Sequence, residues 1–253
     1  IVITQSREAS KRLEVIFKKR GVDVFTSCKI ESVAIEMSRI KARLIDGKDI
    51  EAEKALVAVG RTPNVSGLGL EGVGIAVENG RIRVDEYLRT EVKNIYAIGD
   101  CVRGPLLAHK ASYDAIVACD NILGNSRSVD YSSIPNCIYT EPEIASVGLT
   151  EEEAKVKFPD SKTAKFPYLA SGKALVMGRR EGYIKIVGTQ DGTLLGVEIF
   201  GEEACDLIGE ATLAKATGLN IKDLAHAVHG HPTLSEIFQE AAHVFLGSAI
   251  HSI

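Results

Sequence analysis

Apolar residues recur at helical spacing in "SREASKRLEVIFKKRG" (Ser6 to Gly21), where Leu13, Ile16 and Phe17 share one face. That pattern predicts a helix with Ser6 as N-cap and Gly21 as its stop. The preceding "IVIT" reads as the end of a strand. Beyond the helix, "VDVFTS", "KIESVAIEM" and "RIKARLI" predict strands, and the turn "DGKD" leads into another at "IEAEKALVAVG". One helix and several strands are too few to cover both faces of a parallel sheet, so this part reads as the second half of an α/β domain.

"GRTPNVSGLG" (Gly60 to Gly69) is rich in turn residues and lacks periodicity, which marks a boundary. After it, "RIRV" and "NIYAIGD" predict strands and "LLAHKASYDAIVACDNILG" a helix. "YSSIPN" marks a second boundary. Past it come a strand at "EIASVGL", a helix from Thr150 whose "TEEE" forms a capping box with Glu153, and strands "YIKIVG" and "TLLGVEIFG" around the turn "TQDG". Helices follow at "EEACDLIGEATLAKATG", "IKDLAHAV" and "TLSEIFQEAAHVFLGSAI". Strands and then helices predict an α+β unit, so the expected fold class is α/β followed by α+β.

Composition narrows the function classes. The chain has 253 residues, 45% of them hydrophobic, enough for a sizeable core. Its net charge of −4 is spread over well-mixed acidic and basic residues without a basic stripe, which disfavours nucleic acid as a partner. No apolar run reaches the roughly 20 residues that cross a bilayer, and "IVITQSREASKRLE" lacks a signal peptide's regions. No membrane partner is expected, and an intracellular location is: the cytoplasm, or the mitochondrial matrix in a eukaryote. The sequon at Asn64 then carries no meaning. Cys28, Cys101, Cys119, Cys137 and Cys205 are odd in number and scattered, which predicts ordinary reduced thiols, no disulfide framework and no metal site.

Four stretches carry candidate chemistry. "GLGLEG" (Gly67 to Gly72) matches the dinucleotide pattern GxGxxG, but turn and strand follow it where a phosphate loop needs a helix. In "NIYAIGD", Gly99 would let backbone approach a ligand and Asp100 could accept hydrogen bonds from sugar hydroxyls; a solvated turn aspartate is the plainer reading of this stretch alone. "LLAH" (Leu106 to His109) opens a helix whose free N–H groups could face an electronegative ring atom, or it is simply a helix start. In "HGHPTLSE", Thr233 and Glu236 have capping-box spacing, while His231 and Glu236 have the types of a base and its orienting carboxylate. The Gly-His-Pro entry, for which a cis peptide is available, is unusual for a plain helix start.

In one order, "AVGRTPN", "NIYAIGD", "GPLLAHKA" and "HPTLSE", with "YTEPEIASVGLTEEEAK", resemble the C-terminal half of the pyridine nucleotide-disulfide oxidoreductases, in the branch that oxidises dihydrolipoamide. The resemblance covers essentially the whole chain. It implies partial Rossmann-like segments followed by an α+β dimerisation domain: residues 1–65 from the NAD-binding domain, 66–131 from the FAD-binding domain, and 132–253 at the interface. It implies FAD and NAD as cofactors, a homodimer, and lipoyl domains of 2-oxo acid dehydrogenase complexes or the glycine cleavage system as partners.

By the same resemblance, His231 is the base and Glu236 its partner. Asp100 and Gly99 meet FAD, and Leu106, Leu107, Ala108 and His109 line the flavin ring. Gly60 and Ile30 lie beside NAD. The family's CxxxxC redox pair and both glycine-rich loops are expected ahead of Ile1, so this chain by itself is expected not to turn over. "SYDA" departs from the family's more acidic stretch with a glycine. The alternatives are a non-catalytic dimerisation module and another flavoprotein disulfide reductase. "HPTLSE" disfavours the glutathione type, and the ending "HSI" disfavours the mercuric type.

Overall fold

A computed structural model describes residues 1–251. They form two compact units, one of residues 25–131 and one that joins residues 1–24 to 132–251.

In the second of these, the leading helix α1 (Arg7–Lys19) forms as its periodicity predicts. The Ser6 hydroxyl accepts from Ala9 N–H, and Gly21 follows with φ +80°. "IVIT" is not a strand: Val2 has φ +44° and Ile3–Thr4 turn.

The unit of residues 25–131 holds an antiparallel sheet of β1 (Ile30–Glu36), β2 (Arg39–Leu44) and β3 (Asp49–Ala52). It also holds a two-stranded ribbon, β4 (Val77–Glu78) with β5 (Arg81–Ile82), and the helix α2 (Ala108–Ile122). Ile75, Ile82, Leu88, Ala97, Val102, Val117 and Ala118 form its core.

"VDVFTS", "ALVAV" and "NIYAIGD" do not form strands, and "RIRV" keeps only two strand residues. A strand exists through its hydrogen-bonded neighbour. Among the described residues none pairs with 55–59, where Leu56, Val57 and Val59 are exposed.

The larger unit is built on a five-stranded antiparallel sheet in the order β6-β7-β10-β9-β8. Its strands are β6 (Asn136–Ile138), β7 (Glu143–Gly148), β8 (Lys162–Pro167), β9 (Tyr183–Gly188) and β10 (Leu194–Gly201). Two short helices, α3 (Glu151–Lys157) and α4 (Gly172–Val176), lie between strands. The predicted Thr150–Glu153 capping box is present in full. The helices α5 (Ala204–Thr217), α6 (Ile221–His226) and α7 (Glu236–Leu246) complete the unit.

Both central strands are buried along their whole length, so the sheet has two covered faces. Side chains alternate between those faces. Ile184, Ile186, Val197 and Ile199 join the main core with Ile208, Ala211, Ile237 and Phe238 from α5 and α7. Tyr183 and Phe200 turn the other way and stack with centroids 5.8 Å apart beneath Ala9 and Leu13 of α1.

Polar contacts dock α1 on that face. The buried Glu198 carboxylate accepts from Ser6 N–H at 3.1 Å, Ser6 Oγ at 2.8 Å and Tyr183 OH at 2.7 Å. Lys185, also buried, bridges Glu8 at 2.9 Å and Glu151 at 3.3 Å. The apolar face of α1 is covered by this sheet, which is why residues 1–24 belong to the same compact unit as residues 132–251.

Candidate active site

The nine residues from Ala227 to Ser235 connect α6 to α7 and carry both histidines of "HGHPTLSE". Ile237 and Phe238 are fully buried in the first turn of α7 and fix its start. Glu236 projects from that fixed point, and its two oxygens have different partners. Oε1 lies 2.9 Å from His231 Nδ1, and Oε2 accepts from Thr233 N–H at 2.8 Å.

The predicted capping box is therefore only half formed. The Thr233 hydroxyl donates to Gly230 O at 2.6 Å and pairs with Ser235 Oγ at 2.9 Å, instead of accepting from Glu236 N–H. The His231–Pro232 peptide is cis.

Burial by itself would raise the Glu236 carboxyl, but the Thr233 N–H and the His231 ring outweigh it and hold it below the usual carboxylate range. The carboxylate therefore stays ionised and orients the ring. The His231 side chain is 78% exposed, so its far nitrogen faces solvent.

A second imidazole–carboxylate contact lies on the same loop. His229 Nε2 is 2.9 Å from Glu210 Oε1 of α5, and its side chain is only 8% exposed. Its Nδ1 is buried with no partner among the described residues. Nothing in the sequence announced this pair, because the two residues meet only when α5 packs beside the loop.

In the other unit, Ile98 is extended and the chain then turns through a 3-10 helix at Gly99–Cys101. Gly99 has φ +74° and is buried. A Cβ there would stand 3.3 Å from Ala111 Cβ, so the turn needs glycine. Asp100 Oδ2 is 3.6 Å from Arg61 Nε, which brings Gly60 and its φ of +140° to the neighbourhood of Asp100.

Leu107 is the N-cap of α2 and contributes no side-chain hydrogen bond, which leaves the helix start to backbone N–H groups. Leu106 and Leu107 are half-buried, and Ala108 and His109 exposed.

A buried network joins the turn to the helix. Lys110 Nζ is 2.7 Å from Asp114 Oδ2 and donates to Gly99 O at 3.0 Å. Asp114 accepts from Gly99 N–H at 3.0 Å and from Tyr131 OH at 2.9 Å. Burial, and then the Asp114 carboxylate, push the Tyr131 phenol above its ordinary range. Sequence reading missed Lys110 and Asp114, although their spacing of four on a helix and their polarity on an inward face were available signals.

The structure thus gathers Gly60, Gly99, Asp100 and the start of α2. Ile30 is exposed at the beginning of β1. "GLGLEG" leads into a single 3-10 turn, Glu71–Val73, and carries no helix start for a phosphate. Among the described residues no group of three potential ligands could hold a metal ion, and no helix is long and apolar enough to cross a membrane.

Two family models cover most of the chain. The pyridine nucleotide-disulphide oxidoreductase model matches residues 2–115, and the dimerisation domain of the same family matches residues 134–242. The chain belongs to the pyridine nucleotide-disulphide oxidoreductase family.

Among its relatives, dihydrolipoyl dehydrogenase from Geobacillus stearothermophilus is 44% identical over 241 residues, covering 93% of this chain and 51% of the relative. A dihydrolipoyl dehydrogenase from Bacillus subtilis is 41% identical, with 99% and 54% covered. The chain spans about half the length of the curated relatives it matches.

The crystal structure of LpdA from Mycobacterium tuberculosis superposes with a TM-score of 0.89 at 30% identity, over 94% of this chain and 52% of that one. RclA, an HOCl-induced flavoprotein disulfide reductase from Escherichia coli, does so with a TM-score of 0.88 at 25% identity, over 94% and 55%. The family consists of oxidoreductases that use FAD and NAD.

Proposed function

We propose that this chain supplies the returning FAD segment and the dimerisation domain of a homodimeric dihydrolipoyl dehydrogenase, which oxidises dihydrolipoamide and reduces NAD. The observation that carries the reading is the two-sided hold on Glu236. One oxygen is tied to the backbone at Thr233, so the other has a fixed position from which to set the His231 ring.

With Nδ1–H donated to the carboxylate, the exposed Nε2 presents its lone pair, the arrangement of a general base. His231 takes a proton from a dihydrolipoamide thiol, and the resulting imidazolium is stabilised against the ionised Glu236. The dithiol, as thiolate, is then competent for exchange with a disulfide of the partner subunit. Bound FAD supplies the electron acceptor between dithiol and NAD.

The residues around Asp100 fit that cofactor. Gly99 gives close backbone approach, Asp100 offers a carboxylate to ribityl hydroxyls, and Leu107 leaves the N–H groups at the start of α2 without a side-chain cap. Gly60 and Ile30 would adjoin NAD. Lipoyl domains of 2-oxo acid dehydrogenase complexes or of the glycine cleavage system would deliver the substrate to an intracellular enzyme.

In the flavin-loaded enzyme that contains this chain, His231→Gln should lower kcat for dihydrolipoamide oxidation by about 10²–10⁴-fold with flavin absorbance and dimer mass unchanged. A loss below tenfold would refute the assignment. The chain by itself should show no turnover.

A second reading, a dimerisation module without catalysis, is favoured by the self-contained core of the five-stranded sheet with α5, α6 and α7. A colourless dimer that takes up no added FAD would support it, and flavin bands would oppose it.

A further inference from the structure

Cys137 and Cys205 lie outside both regions described above. Cys137 is the middle residue of the edge strand β6 and pairs with Ala145 of β7. Cys205 is the second residue of α5. Its backbone N–H donates to Glu143 at 2.9 Å, and its Sγ is 3.8 Å from Ile138 O and 3.9 Å from Ile144 O. These contacts seat the Cys205 thiol over the β6–β7 pair, against the thiol of Cys137. Both are half-buried at the rim of the main core, and both are free thiols. Two sulfurs brought together by a strand and a helix start 68 residues apart in sequence differ from the scattered thiols the spacing suggested.

We propose that Cys137 and Cys205 form a dithiol of their own that closes, by exchange with a low-molecular-weight disulfide such as oxidised glutathione, to a bond stapling β6 to the first turn of α5. The Cys137 thiolate attacks one glutathione sulfur, forming a mixed disulfide and releasing one glutathione thiolate. The Cys205 thiolate then displaces the second glutathione. The dithiol loses two electrons and two protons, and one oxidised glutathione becomes two reduced glutathiones.

The surroundings set the rate. Burial raises both thiols above their ordinary range, most strongly Cys205. At Cys137 the hydrogen bond with Cys205, and then that with Tyr139 after β6, partly offset this, while Glu143 on β7 adds repulsion at both thiols and Asp206 on α5 at Cys137. At neutral pH both are protonated, so closure is slow and speeds up about tenfold per pH unit.

The test uses the reduced 253-residue chain with oxidised glutathione at pH 7 and pH 8.5, followed by non-reducing digestion and mass spectrometry. The expected product is a Cys137–Cys205 linked peptide lighter by two hydrogens, formed faster at the higher pH, with a thermal midpoint raised by about 5 °C or more. Cys137→Ser and Cys205→Ser should each stop at a mixed disulfide on the remaining thiol. Phenylarsine oxide should bind the unmodified chain one-to-one, and dimercaprol should release it. Separate mixed disulfides on both cysteines, an unchanged midpoint after linking, or arsenical binding undiminished in the single variants would overturn the proposal. Peptide mapping on the unmodified chain decides the pairing even if a variant fails to fold.

Discussion

The buried Lys110–Asp114 pair allows a graded prediction, because each partner has a different set of remaining contacts. Asp114→Ala leaves the Lys110 ammonium fully buried with Gly99 O and the face of the Tyr131 ring but no counter-charge, and it orphans Gly99 N–H and Tyr131 OH. Breaking a buried ion pair from one side costs about 3–5 kcal/mol. Lys110→Met is milder, about 2–3 kcal/mol, because the carboxylate keeps two donors. Tyr131→Phe removes one hydrogen bond to that charge and should cost about 1.5 kcal/mol.

The double variant Lys110→Met/Asp114→Ala buries no charge and loses only the backbone and phenol contacts. It should cost about 3 kcal/mol, well short of the roughly 5–8 the single variants add to. The pair lies in one of two compact units, so local opening reports on it more directly than unfolding of the whole chain. The assay is therefore hydrogen exchange on the amides of α2 and of the Ile98–Val102 turn, which reports their opening free energy directly. In the flavin-loaded enzyme, Asp114→Ala should also weaken FAD retention, because the turn carrying Asp100 loses its tie to the start of α2. An Asp114→Ala cost below about 1 kcal/mol, or additive single-variant costs, would refute the reasoning.

Three further outcomes follow from contacts elsewhere in the protein. Ser6→Ala removes both the N-cap of α1 and a hydrogen bond to the buried Glu198 carboxylate, so it should destabilise the larger unit by about 2–3 kcal/mol in urea titration, more than either loss alone. Burial would raise the Glu8 carboxyl, but Lys185 and Lys165 outweigh it and pull it down to about 2 from an ordinary 4.5. Its contribution is thus complete above pH 4.5 and lost as pH falls toward 2, and Glu8→Gln should lack that part of the acid-induced drop in the urea midpoint. Glu236→Gln in the flavin-loaded enzyme should lower kcat at least about tenfold and change its pH profile, with the fold retained by circular dichroism. Equal profiles would remove the orienting role from Glu236.

What was legible in the sequence was what local physics decides. The Ser6 cap, the Thr150–Glu153 box and the apolar face of α1 each depend on residues within one or two turns, and each forms as read. Strand readings went wrong where a run was apolar but had no neighbour. Leu56, Val57 and Val59 have strand composition, yet they lie exposed outside any sheet. Edge strands β6 and β8 escaped for the opposite reason: they are short or half polar, and pairing with β7 and β9 creates them.

The candidate site divides along the same line. His231 and Glu236 are five residues apart, near enough for sequence to suggest their contact. The His229–Glu210 pair spans nineteen residues, and the Lys110 network needs Gly99 and Tyr131 from two separate loops.

Capping and catalysis at "HPTLSE" were alternatives in the sequence because one carboxylate seemed to be asked for two tasks. The geometry gives each oxygen its own partner, so the two readings do not compete for it. A carboxylate held only by an exposed imidazole would sample several rotamers and lose side-chain entropy each time it set the ring. Here the Thr233 N–H has already fixed it, and the buried Ile237 and Phe238 have fixed the helix beneath it. The cap is thus the physical reason that an imidazole 78% exposed to solvent can still have a defined direction. The same logic recurs around Asp100, where a half-buried carboxylate stands on a turn whose glycine is tied from both sides by the buried Lys110 and Asp114. In each unit the residue that meets solvent is mobile by nature and is made directional by a buried polar contact one step behind it.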